Sequence, residues 1–219
     1  MKTALVAGAS GLIGGHLTRL LLDDPRYDRV ILLVRKNLPI QHPKLEQHYQ
    51  DFLTPNYALV TGDDFFWAVG TTLAKAGSKE KQYMVDFVYP HEMAKIGFQR
   101  DLKQFIFVSS IGASPKTRNF YLGMKGDLEE AVIEIGYESF ISVRPSILLG
   151  DRKEVRQGER IGIRIAKLLT PVLRGRWEKY RPIEAEQVAI AMIELANRGL
   201  KGVTIVESDE LQRIQRSVS

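Results

Sequence analysis

Cysteine is absent from this 219-residue sequence, and its absence excludes several kinds of site. Without a thiol the chain forms no disulfide, thiolate zinc site or iron–sulfur cluster, and it has no cysteine nucleophile. Its four histidines, His16, His42, His48 and His91, are scattered without the spacing of metal ligands. The sequence therefore predicts no metal site.

Long apolar runs are missing as well. No stretch approaches the roughly 18 apolar residues that cross a bilayer. The first residues reach Gly8 too soon to form the apolar core of a signal peptide. We therefore expect a cytoplasmic protein without a transmembrane segment. With 44% apolar and 26% charged residues, the composition is typical of a globular domain, not of a disordered or fibrous chain.

The net charge of +5 is concentrated in one segment, because residues 151–181 hold ten basic and four acidic residues. An apolar stripe predicts an amphipathic helix over 160–174, with Arg160, Arg164 and Lys167 on its polar face. These cations either only face solvent or receive an anionic substrate, an acidic protein or an anionic membrane surface. No nucleic-acid-binding motif accompanies them, so no nucleic acid is expected.

Predicted strands and helices alternate along the chain. Apolar runs predict strands at 2–7, 30–34, 48–52, 65–69, 105–108, 141–143 and 203–206. Helical periodicity is found over the leucines at 17–22 and over 80–98, 121–135 and 188–196. This alternation predicts an α/β fold, a Rossmann-like doubly wound parallel sheet. We expect one domain over 1–219, with 151–219 forming a small C-terminal cap on the substrate side.

A glycine-rich loop follows the first predicted strand and leads into a helix. Gly8, Gly11 and Gly14 form the pattern GxxGxxG. Glycines here permit a tight turn, let the backbone approach a pyrophosphate and allow the helix to pack closely on the sheet. The N–H groups and dipole at the start of the helix favour phosphate. The loop therefore predicts a dinucleotide site.

The end of the second predicted strand bears on which nucleotide binds. It reads Val34-Arg35-Lys36-Asn37 and lacks the acidic residue that would bind the ribose 2′-hydroxyl of NAD. Two cations suit a 2′-phosphate, which arginine holds with a fork of donors. The sequence therefore favours NADP(H) over NAD(H). The alternative is that Arg35 and Lys36 only solvate the end of the strand.

A serine, a tyrosine and a lysine follow the fifth predicted strand. Tyr121 and Lys125, four residues apart, share one face of a helix. Phenols ordinarily have a pKa near 10 and exchange protons poorly at pH 7, but a nearby ammonium and a nicotinamide cation favour the phenolate. A hydroxyl at the strand end, such as that of Ser110, can donate to a substrate oxygen. The three residues therefore predict a catalytic group.

Further motifs are found along nearly the whole chain. They are Val69-Gly70-Thr71-Thr72, Val85-Asp86, Ser109-Ser110-x-Gly112-Ala113, Tyr121-x-x-x-Lys125-Gly126, Arg144-Pro145-Ser146 and Leu149-Gly150-Asp151-Arg152. With the glycine loop and Arg35-Lys36, this set resembles the short-chain dehydrogenase/reductase family. More narrowly, it resembles the atypical branch that contains the human Tat-interacting protein and its bacterial relatives.

The resemblance implies a role for each motif. Ser10, Leu12 and Ile13 would line the pyrophosphate, and Arg35 and Lys36 the adenosine phosphate. The remaining cofactor contacts would be Asp51 and Phe52 at adenine, Gly70, Thr71 and Thr72 along the nucleotide, and Pro145 and Ser146 near nicotinamide. Ser110 aligns with the catalytic serine better than Ser109, although only 11 residues separate it from Tyr121, fewer than is usual. The catalytic asparagine of typical members has no clear equivalent here.

The leading hypothesis is an NADP(H)-dependent oxidoreductase that transfers a hydride between nicotinamide and a carbonyl or alcohol carbon. Tyr121 would be the acid–base, Lys125 would tune it and orient the ribose, and Ser110 would steady the substrate oxygen. Two alternatives are an NADPH-sensing regulatory or partner-binding protein with little turnover, and a sugar-nucleotide-type epimerase or dehydratase with tightly held cofactor. The expected partner is a small-molecule substrate, which would be anionic if the cations of 151–181 receive it, and a homodimer is one option for the assembly.

Overall fold

A computed structural model describes residues 1–150, 173 and 175–217. The first half contains β1 (Lys2–Ala7), α1 (Leu12–Leu22), β2 (Tyr27–Val34), β3 (Leu45–Tyr49), a 3₁₀ turn (Tyr57–Leu59), β4 (Asp64–Trp67), α2 (Leu73–Ala76) and α3 (Lys79–Tyr83). A π-helical turn (Met84–Val88), α4 (Tyr89–Gln99), β5 (Gln104–Val108), α5 (Phe120–Ile135), β6 (Ser139–Arg144) and β7 (Leu148–Leu149) follow.

The C-terminal part completes the fold. It contains a 3₁₀ turn (Gly175–Tyr180), β8 (Ile183–Glu184), α6 (Ala185–Ala196), β9 (Gly202–Glu207) and α7 (Ser208–Arg213). Apart from residue 173, the helix expected over 160–174 lies outside the described residues, and so do Arg160, Arg164 and Lys167.

Seven parallel strands form the central sheet, in the order β3-β2-β1-β4-β5-β6-β9. The predicted Rossmann-like doubly wound sheet is therefore confirmed. The chain order reverses between β1 and β4, and ligands of such sheets bind outside the strand ends at that reversal. A separate two-stranded parallel pair joins β7 to β8.

Helices cover both faces of the sheet, which explains why the strands are continuous apolar runs. On one face, alternate strand residues such as Val6 and Leu32 pack against α1 and α6. On the other face, Leu5, Phe65 and Phe107 pack with residues of α4 and α5. Because successive side chains of a strand point to opposite faces, each apolar run supplies both cores.

Two predicted elements were wrong in detail. The third strand covers Leu45–Tyr49 rather than 48–52, because its half-exposed, polar edge position hides the apolar signal. Phe52 instead follows the strand and packs against Trp67 and Tyr89, at ring-centre distances of 5.2 and 5.9 Å. The helix expected over 80–98 starts at Lys79 and is interrupted by the π turn.

A buried polar cluster lies at the amino-terminal edge of the sheet. Asp64 accepts hydrogen bonds from Lys2 Nζ (3.0 Å), Tyr27 Oη (2.6 Å) and Gln104 Nε2 (2.8 Å). Burial, together with the neighbouring carboxylate of Asp64, raises the pKa of Tyr27 well above its ordinary value, so the phenol remains a donor. The cluster thereby satisfies the buried charge of Asp64.

A second buried cluster ties the end of α1 to α6. Arg26 donates to Asp24 (Nη2–Oδ2 2.6 Å) and to Glu194 (Nη2–Oε1 2.8 Å). Ser217 also donates to Glu194, with its hydroxyl 2.6 Å from Oε2. Burial by itself would raise the pKa of Glu194, but the hydrogen bonds from Arg26 and Ser217 outweigh it and lower that pKa to about 2.

This lowered pKa predicts an acid-sensitive contribution to stability. The contribution is complete above the ordinary pKa of Glu194, 4.5, and is lost as the pH falls toward its folded value of about 2. At pH 7 we expect Glu194→Gln to lower the free energy of unfolding by about 2–3 kcal/mol. Urea unfolding from pH 7 to 2 measures this difference, which should shrink below pH 4.5.

Glu46→Gln is the matched control, because Glu46 pairs with Arg29 on the surface, where ion pairs contribute little. A Glu194→Gln deficit that is the same at pH 7 and at pH 2 would contradict the assignment.

Candidate functional site

The residues expected to bind nucleotide come together at the carboxyl edge of the sheet. Because the strands are parallel, the loops after β1 to β6 leave the sheet on one side. That edge carries the residues Gly8, Ser10, Gly11, Leu12, Ile13, Gly14, Arg35, Lys36, Asp51, Phe52, Gly70, Thr71, Thr72, Ser110, Pro145 and Ser146.

The glycine loop has room only for glycine at two positions. Gly8 has φ +95°, and a Cβ there would lie 2.5 Å from the carbonyl carbon of Ala68. A Cβ on Gly14 would lie 2.1 Å from the oxygen of Gly8. Gly11, the N-cap of α1, has no side chain to accept a hydrogen bond, so the first N–H groups of this helix remain available to an anion.

Arg35 and Lys36 lie exposed just past the end of β2. Neither forms a hydrogen bond or ion pair within residues 1–150, 173 and 175–217. Asp51 follows β3, and its Oδ1 accepts the N–H of Leu53 at 2.9 Å. The ring of Phe52 is partly buried and packs against the core, and the residue follows the end of β3 at this edge.

Tyr121 and Lys125 lie on successive turns of α5, as their spacing predicts. Asn119 caps the helix, its Oδ1 accepting the N–H of Leu122 at 3.0 Å. Tyr121 is half-buried, and its ring centre lies 5.8 Å from Lys125 Nζ. The same ammonium lies 4.8 Å from the ring centre of Phe107 on β5. The ammonium of Lys125 therefore lies beside the rings of both Tyr121 and Phe107.

The segment between β5 and α5 packs directly on the helix. Ser114 N–H donates to the carbonyl of Leu122 at 3.1 Å, and a Cβ on Gly126 would lie 2.3 Å from the carbonyl carbon of Ser114. Of the two candidate serines, Ser109 has a buried hydroxyl with no partner in the described part of the chain. Ser110 is half-exposed, and its hydroxyl makes one weak bond of 3.4 Å to Ile111. Ser110 is therefore the serine more accessible to a substrate.

Asp86 is the site residue to which sequence reasoning gave no role. Its carboxylate is buried, with Oδ1 3.0 Å from Lys125 Nζ and Oδ2 accepting the N–H of Thr71 at 3.1 Å. A Cβ on Gly70 would lie 3.3 Å from the same Oδ1. The available signal was an isolated acid within the apolar run Met84-Val85-Asp86-Phe87-Val88.

The loop after β6 links this edge to the C-terminal residues. Pro145 accepts the N–H of Ile111 at 3.0 Å. Ser146 donates its hydroxyl to the carbonyl of Arg181 and accepts from the hydroxyl of Ser208 at 3.0 Å. The Ser146 hydroxyl is therefore already engaged by the protein. Thr72, in the loop after β4, caps α2 through its side chain.

A cavity of about 420 Å³ opens beside the hydrogen bonds that join Ser146 to Arg181 and Ser208. Its described lining is Gly175, Trp177, Lys179, Tyr180, Glu207 and Asp209. Glu207 ends β9 in register with Arg144 of β6, which puts the cavity at the carboxyl edge of the sheet. Lys179 pairs with Glu207 at 2.8 Å, so this lining has no unpaired lysine for an anionic substrate.

The described residues contain neither a metal-binding cluster nor a membrane-spanning helix. No cluster of three or more His, Asp or Glu side chains is placed there to hold a metal ion. None of the helices in this part is both long and apolar enough to cross a membrane.

Two fungal proteins are similar to the chain over almost its full length. It is 33% identical to the mitochondrial protein FMP52 of Eremothecium gossypii over 215 residues, 95% of each chain. It is 30% identical to FMP52 of Saccharomyces cerevisiae over 230 residues, 98% of this chain and 96% of the relative. No protein-family model matches the chain.

These relatives correct the predicted location. Their names place them in mitochondria, so the expectation of a cytoplasmic protein was wrong. The lack of an apolar signal-peptide core in the first residues does not bear on import into mitochondria.

Solved structures are similar in fold at low sequence identity. MoeE5, in complex with UDP-glucose and NAD, has a TM-score of 0.71 at 15% identity and is matched over 95% of this chain and 79% of its own. UDP-glucose 4-epimerase from Thermotoga maritima has a TM-score of 0.69 at 15% identity, over 94% and 76%. Both likenesses support the Rossmann-like fold. The narrower resemblance to the branch of the Tat-interacting protein stays a prediction.

The glycine loop yields a test of close packing. Gly14→Ala places a Cβ 2.1 Å from the oxygen of Gly8, so we expect it to shift the loop and to weaken nucleotide binding at least about tenfold. Gly15→Ala on the same helix is the control, because its Cβ meets only an ordinary contact at 3.6 Å. NADPH fluorescence titration and thermal unfolding measure both effects. Equal affinities in the two variants would contradict the close-packed loop.

Proposed function

The chain belongs to the FMP52 family, and we propose that it is an NADP(H)-dependent oxidoreductase acting on a carbonyl or alcohol group of a small molecule. One observation carries the proposal. The uncapped start of α1, the exposed pair Arg35 and Lys36, and the Tyr121–Lys125 pair all belong to the carboxyl edge of one parallel sheet. These are the groups needed for a pyrophosphate, a 2′-phosphate and a proton transfer.

The loop and strand ends fit a nicotinamide dinucleotide. Gly8 and Gly14 keep the backbone free of Cβ atoms where a pyrophosphate would approach. We assign the pyrophosphate to residues 8–14, the 2′-phosphate to Arg35 and Lys36, and the adenine to Asp51 and Phe52. Residues 70–72 and 145–146 would hold the remainder of the nucleotide. When bound, this cofactor supplies or accepts the hydride.

The protein's own residues then handle the substrate oxygen. Tyr121 exchanges a proton with that oxygen, and Lys125, whose ammonium lies 5.8 Å from the centre of the Tyr121 ring, would tune that exchange and orient the ribose. Ser110 donates a hydrogen bond to the same oxygen as its charge changes. The half-buried position of Tyr121 and the half-exposed position of Ser110 support these roles.

We place the substrate side within the C-terminal residues 151–219 of this single domain, in the part that lies at the carboxyl edge of the sheet. The cavity beside Trp177 and Tyr180, with its mixed lining of rings and charges, supports a small molecule with both apolar and polar parts. The names of the relatives support a mitochondrial site of action.

Nucleotide choice is tested by removing the two cations at the end of β2. We expect Arg35→Ala/Lys36→Ala to weaken NADPH binding by about tenfold to a hundredfold, because charge-assisted hydrogen bonds to the 2′-phosphate are lost. NADH binding should change little. Fluorescence titration measures both.

Arg198→Ala/Lys201→Ala removes the same charge from the opposite edge of the sheet, before β9, and is the matched control. If NADPH and NADH bind equally well and the double variant behaves like wild type, the choice of NADP(H) is wrong. If neither nucleotide binds, the oxidoreductase proposal fails.

A second candidate is an epimerase or dehydratase that keeps its cofactor through the reaction. The similarity in fold to MoeE5 and to a UDP-glucose 4-epimerase supports this candidate. This candidate predicts that nucleotide copurifies with the protein and that free NADPH is not consumed. A nucleotide sensor, the third candidate, predicts binding without turnover of any substrate.

Tyr121→Phe separates binding from chemistry. We expect it to lower kcat by about 10²–10⁴-fold through loss of the proton donor, while the Kd for NADPH stays within about twofold. The measurement is NADPH consumption with a panel of aldehydes and ketones, with UDP-glucose conversion assayed in parallel. Wild-type turnover in the variant would contradict the role of Tyr121.

A further inference from the structure

We propose that Asp86 is a positioning residue whose two carboxylate oxygens hold the lysine Lys125 and the nucleotide-side loop 70–72 in a fixed relation. The inference rests on the proposed function, because it concerns the same lysine and the same loop. It assigns to Asp86 no contact with substrate or cofactor.

The first contact is a buried ion pair. Lys125 Nζ lies 3.0 Å from Asp86 Oδ1, and the two side chains are only 3% and 1% exposed. A buried charge without a partner is strongly unfavourable, so each ion is held by the other. Within the described residues, Asp86 is the one carboxylate that pairs with Lys125.

The second contact is to the backbone of the loop after β4. Asp86 Oδ2 accepts the N–H of Thr71 at 3.1 Å. Gly70 approaches so closely that a Cβ would lie 3.3 Å from Oδ1, tighter than most real contacts. One carboxylate therefore joins the loop to α5, and displacement of either element alters the other.

The remaining surroundings of the ammonium leave it little freedom. It lies 4.8 Å from the ring centre of Phe107 on β5 and 5.8 Å from that of Tyr121 on its own helix. Both rings attract a cation without offering it a hydrogen bond. Asp86, which faces the ammonium from the π turn, is the neighbour of opposite charge among these three groups.

A proline in the sequence accounts for the π turn that carries Asp86. In a regular α-helix the N–H of residue 90 would bond the carbonyl of residue 86, but Pro90 has no N–H and its ring crowds that carbonyl. The backbone instead forms the π turn Met84–Val88, in which the N–H of Tyr89 donates a hydrogen bond to the carbonyl of Met84. Such turns are frequent at functional sites.

Substitutions at Asp86 separate the two contacts. Asp86→Asn keeps the size and an acceptor for Thr71 but removes the counterion of Lys125. We expect it to lower kcat by about tenfold or more and to weaken NADPH binding by about threefold to tenfold. Asp86→Glu keeps the charge and displaces it by one methylene, so we expect a folded protein with reduced kcat.

The decisive experiment is a double-mutant cycle of Asp86→Asn with Lys125→Met. If Asp86 acts through Lys125, the double variant should differ from the single variant Lys125→Met by less than about twofold in kcat and in the Kd for NADPH. NADPH fluorescence gives the Kd independently of turnover. Losses that simply multiply in the double variant would overturn the proposal, and so would wild-type kcat in both Asp86→Asn and Asp86→Glu.

Asp64→Asn is the matched control, since Asp64 is also a buried carboxylate paired with a lysine, Lys2, but at the opposite edge of the sheet. It should lower the unfolding temperature while kcat of the folded protein stays unchanged. A wild-type protein that binds no NADPH defeats the proposed function and this inference together. If the wild-type protein binds NADPH and turns over a substrate, but the Asp86 variants have the same kcat and Kd as the wild type, only this inference is defeated.

Discussion

Parallel pairing of β1 with β2 on one side and β4 on the other is the constraint on which the site depends. It aligns the ends of these strands, so that the glycine loop, Arg35 and the loop 70–72 leave the sheet at one edge. It also brings Ala68 against Gly8, closely enough that any side chain at Gly8 would collide with the backbone. The need for glycine there follows from strand pairing and does not depend on a ligand.

The two edges of the sheet use buried charge differently. At the amino-terminal edge, Asp64 is satisfied by Lys2, Tyr27 and Gln104, and its cluster joins strands to one another. At the carboxyl edge, Asp86 is shared between a lysine of α5 and the backbone of a loop. The first arrangement stabilises the fold, whereas the second links two elements that both face the candidate nucleotide site.

Much of the fold could be predicted from the sequence because the strands are covered on both faces. Continuous apolar runs located β1, β2, β5 and β9 within about three residues at each end. The helix of Tyr121 and Lys125 starts at Phe120, one residue before the predicted start. The edge strand β3 was misplaced because half of its surface meets solvent and its residues are polar. The π turn at 84–88 was missed because hydrophobic periodicity does not resolve one widened turn, although Pro90 marks the place.

The sequence by itself determined the order of elements, the glycine loop, the cations after β2 and the four-residue spacing of Tyr121 and Lys125, because each is local. Only the tertiary structure decided what Lys125 faces. Asp86 is distant from it along the chain and meets it because the π turn and α5 pack on the same face of the sheet, while Gly70, which follows β4, meets Asp86. Local spacing specifies which residues share a helix face, but a buried counterion comes from whichever element packs against that face.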